Sequence, residues 1–105
     1  MVFMDEKVIG LKVSSKDNVA TVFANGVIDG TVVEVHDPSG NVKNIKAIGD
    51  IPYGHKIAIQ DIKKGEIIVK YGEEIGMASQ NIRKGEYVHI HNLDSMRGRG
   101  DLEKR

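Results

Sequence analysis

Apolar residues in this chain come in short blocks of valine and isoleucine, set apart by glycine and polar turns. No glycine-free stretch of helical length carries apolar side chains at the i, i+3, i+4, i+7 spacing. The blocks read instead as strands over 7–13, 18–24, 31–36, 42–48, 56–60, 66–70 and 86–91. Between the third and fourth, Asp37-Pro38-Ser39-Gly40-Asn41 is turn chemistry. Proline presets φ, glycine and asparagine tolerate φ > 0, and a hairpin is expected. The pattern predicts an all-β domain of short strands with at most one or two helical turns.

One segment repeats. Ala58-Ile59-Gln60-Asp61-Ile62-Lys63-Lys64-Gly65-Glu66-Ile67-Ile68 recurs as Ala78-Ser79-Gln80-Asn81-Ile82-Arg83-Lys84-Gly85-Glu86-Tyr87-Val88, at an offset of 20 residues. Each copy is a turn that delivers a strand. Its isoleucine is an apolar plug in a polar context, and its glycine permits a left-handed φ. Ile28-Asp29-Gly30-Thr31-Val32-Val33 is a fainter third copy. Two clear copies are too few for a solenoid and point to a pseudo-twofold pair within one domain.

Composition narrows the function classes. A chain of 105 residues holds one domain, expected over 1–94, followed by a charged tail over 95–105. Fifteen basic and fifteen acidic residues cancel, which argues against a nucleic-acid binder acting through a general basic field. Five per cent aromatics without tryptophan give little material for stacking bases. The absence of cysteine removes disulfides, thiolate nucleophiles and cysteine-held metals. No apolar run is long enough to span a bilayer, and the first residues carry no signal-peptide block. A cytoplasmic location without membrane contact is therefore expected. Arg99-Gly100-Asp101 spells an adhesion tripeptide, but the chain gives it no extracellular context.

The chemistry centres on histidine, the side chain that titrates near neutrality without perturbation. Alternation along 86–91 puts Tyr87, His89 and His91 on one face and Val88 and Ile90 on the core face. Two imidazoles on one face can hold a divalent metal, or one can move a proton; two solvent-facing histidines on an edge strand fit equally well. His55 follows the Pro52-Tyr53-Gly54 turn and precedes Lys56. An ammonium beside an imidazole suits a carboxylate substrate, although an ordinary loop-to-strand junction would look the same. His36 reads as structural or exposed. Asp17-Asn18 is either a turn or a hydrogen-bonding pair at a strand start. Glu73-Glu74 reads as a solvated pair in a glycine turn. No phosphate-cradling glycine loop or nucleophile elbow is present.

Six motifs occur together in order: Asp17-Asn18-Val19-Ala20, Gly54-His55-Lys56-Ile57-Ala58, Asp61-Ile62-x-Lys64-Gly65, Tyr71-Gly72-Glu73-x-Ile75-Gly76, Ile82-x-x-Gly85 and Val88-His89-x-His91-Asn92. With them the sequence closely resembles the SAF domain of the sugar-acid dehydratase family that includes altronate dehydratase, galactarate dehydratase and sulfolactate sulfo-lyase. The resemblance covers roughly residues 18–101. It implies a β-clip fold and a small subunit of a lyase that eliminates water, or sulfite, from a hydroxy acid. The implied partners are a large dehydratase subunit and a sugar-acid substrate such as altronate; homo-oligomerisation stays open. The implied cofactor is iron(II) or manganese(II), held mainly by the large subunit. On this resemblance His55, Lys56 and His91 are catalytic, Asn18 and Asn92 bind substrate, and His89 and His91 face the metal. His55, Lys56, His89, His91 and Asn92 are then expected to converge at one end of the domain. The competing readings are a non-catalytic binding or assembly domain of the same complex, and a sulfo-lyase small subunit. A carbohydrate- or ice-binding module is disfavoured by the interleaved lysines and glutamates.

Overall fold

The computed structural model describes residues 8–95. The adhesion tripeptide and all of the expected tail except Ser95 lie outside the described residues. Nine short strands and no helix occur among them: β1 Ile9–Leu11, β2 Val19–Val22, β3 Val32–His36, β4 Val42–Lys46, β5 Lys56–Ala58, β6 Ile67–Lys70, β7 Glu73–Ala78, β8 Tyr87–Val88 and β9 Leu93–Ser95. The all-β expectation holds.

Six strands form one sheet in the order β4-β3-β1-β2-β5-β8, and three form another in the order β6-β7-β9. Only the β1–β3 pairing is parallel among the strand pairs. Two apolar clusters fill the interior. One gathers Val22, Val33, Ile45, Ile51 and Ile57, and the other gathers Val19, Ile62, Ile68, Ile82 and Val88. These side chains are β-branched, suited to a pleated half-buried surface, and burying each stabilises by roughly 1.5–3 kcal/mol.

The expected hairpin forms. His36 pairs with Val42, Gly40 has φ 92°, and Asp37 Oδ1 accepts from the backbone of Ser39 and Asn41. Two strands, β7 and β9, are absent from the sequence reading. Residues 73–78 form β7, because Tyr71 and Gly72, both with positive φ, make a two-residue loop joining Lys70 to Glu73. Positive φ at both loop positions matches the strand twist of a hairpin. Tyrosine is an unusual occupant, and Asp17 explains it by accepting the Gly72 N–H at 2.8 Å. Burial opposes the charge of Asp17, but N–H groups from Gly72, Ser14, Tyr71 and Val13 outweigh it and hold the carboxyl below its ordinary range. Glu73 and Glu74 are exposed on β7, not in a turn. Ser95, assigned to the tail by composition, ends β9 opposite Gly76. Gly76 permits this approach, since a Cβ there would overlap the Asp94 carbonyl.

The repeat is a structural unit with more copies than the sequence shows. Ile62 and Ile82 exchange backbone hydrogen bonds of 2.8 and 2.7 Å, and each is buried. The carboxamide of Asn81 accepts from Lys64 N–H, and Asp61 accepts from Lys84 N–H in return. That reciprocity is the pseudo-twofold the sequence predicts. The same turn also occurs after Val27, where the faint third copy lies, and again after Ile51. In all four, the residue after the glycine donates back to a carbonyl three positions earlier: Thr31 to Ile28, His55 to Pro52, Glu66 to Lys63 and Glu86 to Arg83. The glycines, at 30, 54, 65 and 85, all have positive φ. Val27 and Ile51 bridge each other as Ile62 and Ile82 do.

Candidate functional site

The fold brings His55, His89 and His91 together around Tyr87. His55 and His89 have ring centroids 5.0 Å apart, the Tyr87 ring lies 5.6 Å from His89 in a parallel stack, and His91 lies 5.4 Å from Tyr87. The Tyr87 hydroxyl is 2.9 Å from His55 Nδ1. Each member arrives for a local reason. His55 follows the Gly54 turn, which is fixed by reciprocal backbone bonds with Val22. Tyr87 stands on β8 opposite Ile57 of β5, so pairing of the two strands seats it beside the His55 loop.

His89 and His91 arrive by a turn, which corrects the expectation of a strand over 86–91. The strand ends at Val88. Asn92, 2% exposed, donates from its side chain to the Tyr87 carbonyl and accepts from the His89 N–H, while its own N–H donates to the His89 carbonyl. The chain therefore curls over Asn92 instead of running on. Val88 stays in the core as expected, but Ile90 is 80% exposed and not a core residue. Asn92, expected to bind substrate, spends its amide on backbone and shapes the histidine loop. Replacing Asn92 with alanine leaves two backbone groups of this loop unpaired. We expect a loss of about 1–3 kcal/mol in urea denaturation, together with altered His89 and His91 ring resonances.

Asn18, likewise expected to bind substrate, is bonded to backbone. Its side chain donates to the Ile67 carbonyl and accepts from Val69 N–H, which ties β2 to β6. It precedes β2, whose other end, Val22, bonds the His55 loop. Asp17 and Asn18 are thus both turn and clamp. His36 pairs with Glu34 at 3.3 Å and does not join the cluster.

Lys56 belongs to the same neighbourhood. It stands on β5 opposite Thr21, whose hydroxyl is 3.3 Å from the Tyr71 hydroxyl, and Lys70 sits 4.8 Å above the Tyr71 ring. Burial, and then the charge of Lys70, pushes the Lys56 ammonium below the usual lysine range. His89 is pushed below the usual histidine range by desolvation first, then by Lys56, His55 and His91. A lowered value keeps its imidazole neutral at pH 7. Among the described residues, the charges that shift Lys56 and His89 are basic: Lys70 acts on Lys56, and Lys56, His55 and His91 act on His89. An open cleft of about 300 Å³ also borders Tyr87, His91 and Asn92; it carries Asp50 and Glu86.

His89 and His91 make no ring-nitrogen hydrogen bond among the described residues, so two nitrogen donors are uncommitted. No group of three or more His, Cys, Asp or Glu side chains among the described residues could hold a metal ion. The described residues do not by themselves fit a complete metal site. Tyr87 is the residue that sequence reasoning passed over. Alternation placed it on the histidine face, but only the β5–β8 register shows that it bonds His55.

Residues 8–96 match the altronate/galactarate dehydratase SAF domain. The altronate dehydratase of Bacillus subtilis (strain 168) is 42% identical over 82 residues, which is 78% of this chain and 15% of that protein. The (2R)-sulfolactate sulfo-lyase subunit alpha of Chromohalobacter salexigens is 49% identical over 47 residues, 45% of this chain and 50% of that one. The corresponding subunit from Paracoccus pantotrophus is 40% identical over 53 residues, 50% of this chain and 79% of that one. The chain thus spans a small part of the dehydratase and half or more of the sulfo-lyase subunits it matches. No helix among the described residues is long and apolar enough to cross a membrane. On the extent of the match, the chain belongs to the altronate/galactarate dehydratase SAF-domain family.

Proposed function

We propose that this chain is the small subunit of a sugar-acid dehydratase and completes an active site shared with a large subunit. The observation that carries the reading is the gathering of His55, His89 and His91 on Tyr87, with the Lys56 ammonium close enough to act on His89. Such a surface suits an anionic hydroxy acid. The adjoining cleft, with Asp50 and Glu86, repels a carboxylate, so the substrate carboxylate goes to the Lys56 side.

In this reading the Lys56 ammonium neutralises the substrate carboxylate and stabilises the charge that builds up when the neighbouring carbon loses its proton. His55 is the base. Its Nδ1 lies 2.9 Å from the Tyr87 hydroxyl; in the tautomer that donates Nδ1–H to the Tyr87 oxygen, Nε2 is the proton acceptor. The electron pair of the broken C–H bond forms the new carbon–carbon double bond as the adjacent C–O bond breaks. His91, exposed at the rim, protonates the departing hydroxyl, and water leaves. The enol product rearranges to a 2-keto-3-deoxy acid. A divalent iron or manganese ion would take His89 as a ligand, and His91 only when it is not serving as the acid; its other ligands would come from the large subunit, and it would stabilise negative charge on the substrate.

The isolated chain is expected to show no dehydration of altronate or galactarate. Adding a purified large dehydratase subunit with iron(II) should restore it. Full activity from the small chain alone would end the subunit reading. The sulfo-lyase relatives favour a second substrate reading, elimination of sulfite from sulfolactate by the same constellation. Assaying the complex on hydroxy acids and on sulfolactate separates the two.

A further inference from the structure

Three of the four repeat turns are closed by a side chain. Ile28 N–H donates to Thr31 Oγ1, Lys63 N–H to Glu66 Oε1 and Arg83 N–H to Glu86 Oε1, at 2.8–3.1 Å. In each the acceptor follows the glycine, and the donor is the N–H three residues before it. The fourth turn has His55 at the acceptor position and Pro52 at the donor position. Proline has no N–H to cap. The rest of the turn is unchanged: His55 N–H donates to the Pro52 carbonyl, and Gly54 has φ 79°.

We propose that Pro52 is a positioning residue for His55. It deletes the backbone donor that would otherwise engage the side chain after the glycine. The imidazole is thereby released from capping its own turn, and Nδ1 meets the Tyr87 hydroxyl instead. A structural turn is converted into a site turn by removing one hydrogen. Pro52 is exposed and its side chain carries no titratable or nucleophilic group, so it acts through His55. The role of His55 in turnover rests on the proposed dehydratase reading, but its release by Pro52 does not.

The test is Pro52→Ala, which restores the N–H, measured on the whole chain by NMR. The native His55 ring is expected to show nitrogen shifts that respond to Tyr87→Phe. In Pro52→Ala that response should shrink, and the new residue-52 amide should be protected from exchange by the imidazole. A response to Tyr87→Phe as large as in the native chain, with a freely exchanging residue-52 amide, would overturn the proposal. A stability cycle gives a second readout. Pro52→Ala combined with His55→Glu rebuilds the cap of the other turns, so the pair should be coupled favourably by about five-fold or more in the unfolding equilibrium. Additivity of the two substitutions would also overturn it. Turnover of the complex separates this proposal from the functional reading. A released and recaptured imidazole with turnover unaffected by any His55 substitution leaves Pro52 as positioned here and removes the dehydratase role of His55.

Discussion

His55→Ala is expected to lower kcat of the reconstituted complex by about 10²–10⁴-fold, the range for losing a positioned general base. The fold should survive. His55 is only half-buried and lies outside both apolar clusters. Its side chain makes one hydrogen bond, to Tyr87, whose loss costs about 1 kcal/mol. Circular dichroism and the urea midpoint should therefore stay close to native while turnover collapses. His91→Ala should lower kcat in the same direction. Retained turnover in both variants would make the cluster a binding or assembly surface, with all chemistry in the large subunit.

The largest expected effect on stability is at Gly85. Its φ is +100°, where an L side chain is strained by roughly 1–2 kcal/mol. A Cβ there would also overlap the Lys46 carbonyl oxygen. The turn cannot yield easily. Gly85 N–H bonds Ala58, its carbonyl accepts from Ile48, and Glu86 bridges Ile48. Gly85→Ala is expected to cost about 3 kcal/mol or more, a large part of a typical domain's 5–15 kcal/mol. Gly40→Ala is the control. It has φ +92° with nothing within 4 Å of a Cβ, and should cost about 1 kcal/mol. Urea midpoints measure both, and equal losses would show that the Lys46 contact relaxes without cost.

Much of the fold is legible because its causes are local. Isoleucines 62 and 82 are identifiable as plugs since each stands alone among polar residues, and both prove buried. The Asp37–Asn41 turn carries its own acceptor and its own positive-φ glycine. What was not legible depends on partners distant in sequence. Strand β7 is hidden by Gly72 and Gly76, whose roles come from Asp17 and Asp94. The exposure of Ile90 follows from Asn92 capturing the backbone of Tyr87 and His89, which period-two alternation does not anticipate. The copy holding His55 escapes notice because a proline and a histidine replace the residues that make the other copies alike.

The sequence by itself determined the strand class, the turn chemistry, the paired plugs and the identity of the titratable groups. Each of these follows from side-chain shape and backbone freedom over a few neighbouring residues. The meeting of His55 with Tyr87, 32 positions away, and the clamping of backbone by Asn18 and Asn92 come from the folded chain alone. Those outcomes rest on the β5–β8 register and on buried amides finding partners, and both are set by which distant segments the closed core brings within hydrogen-bonding reach.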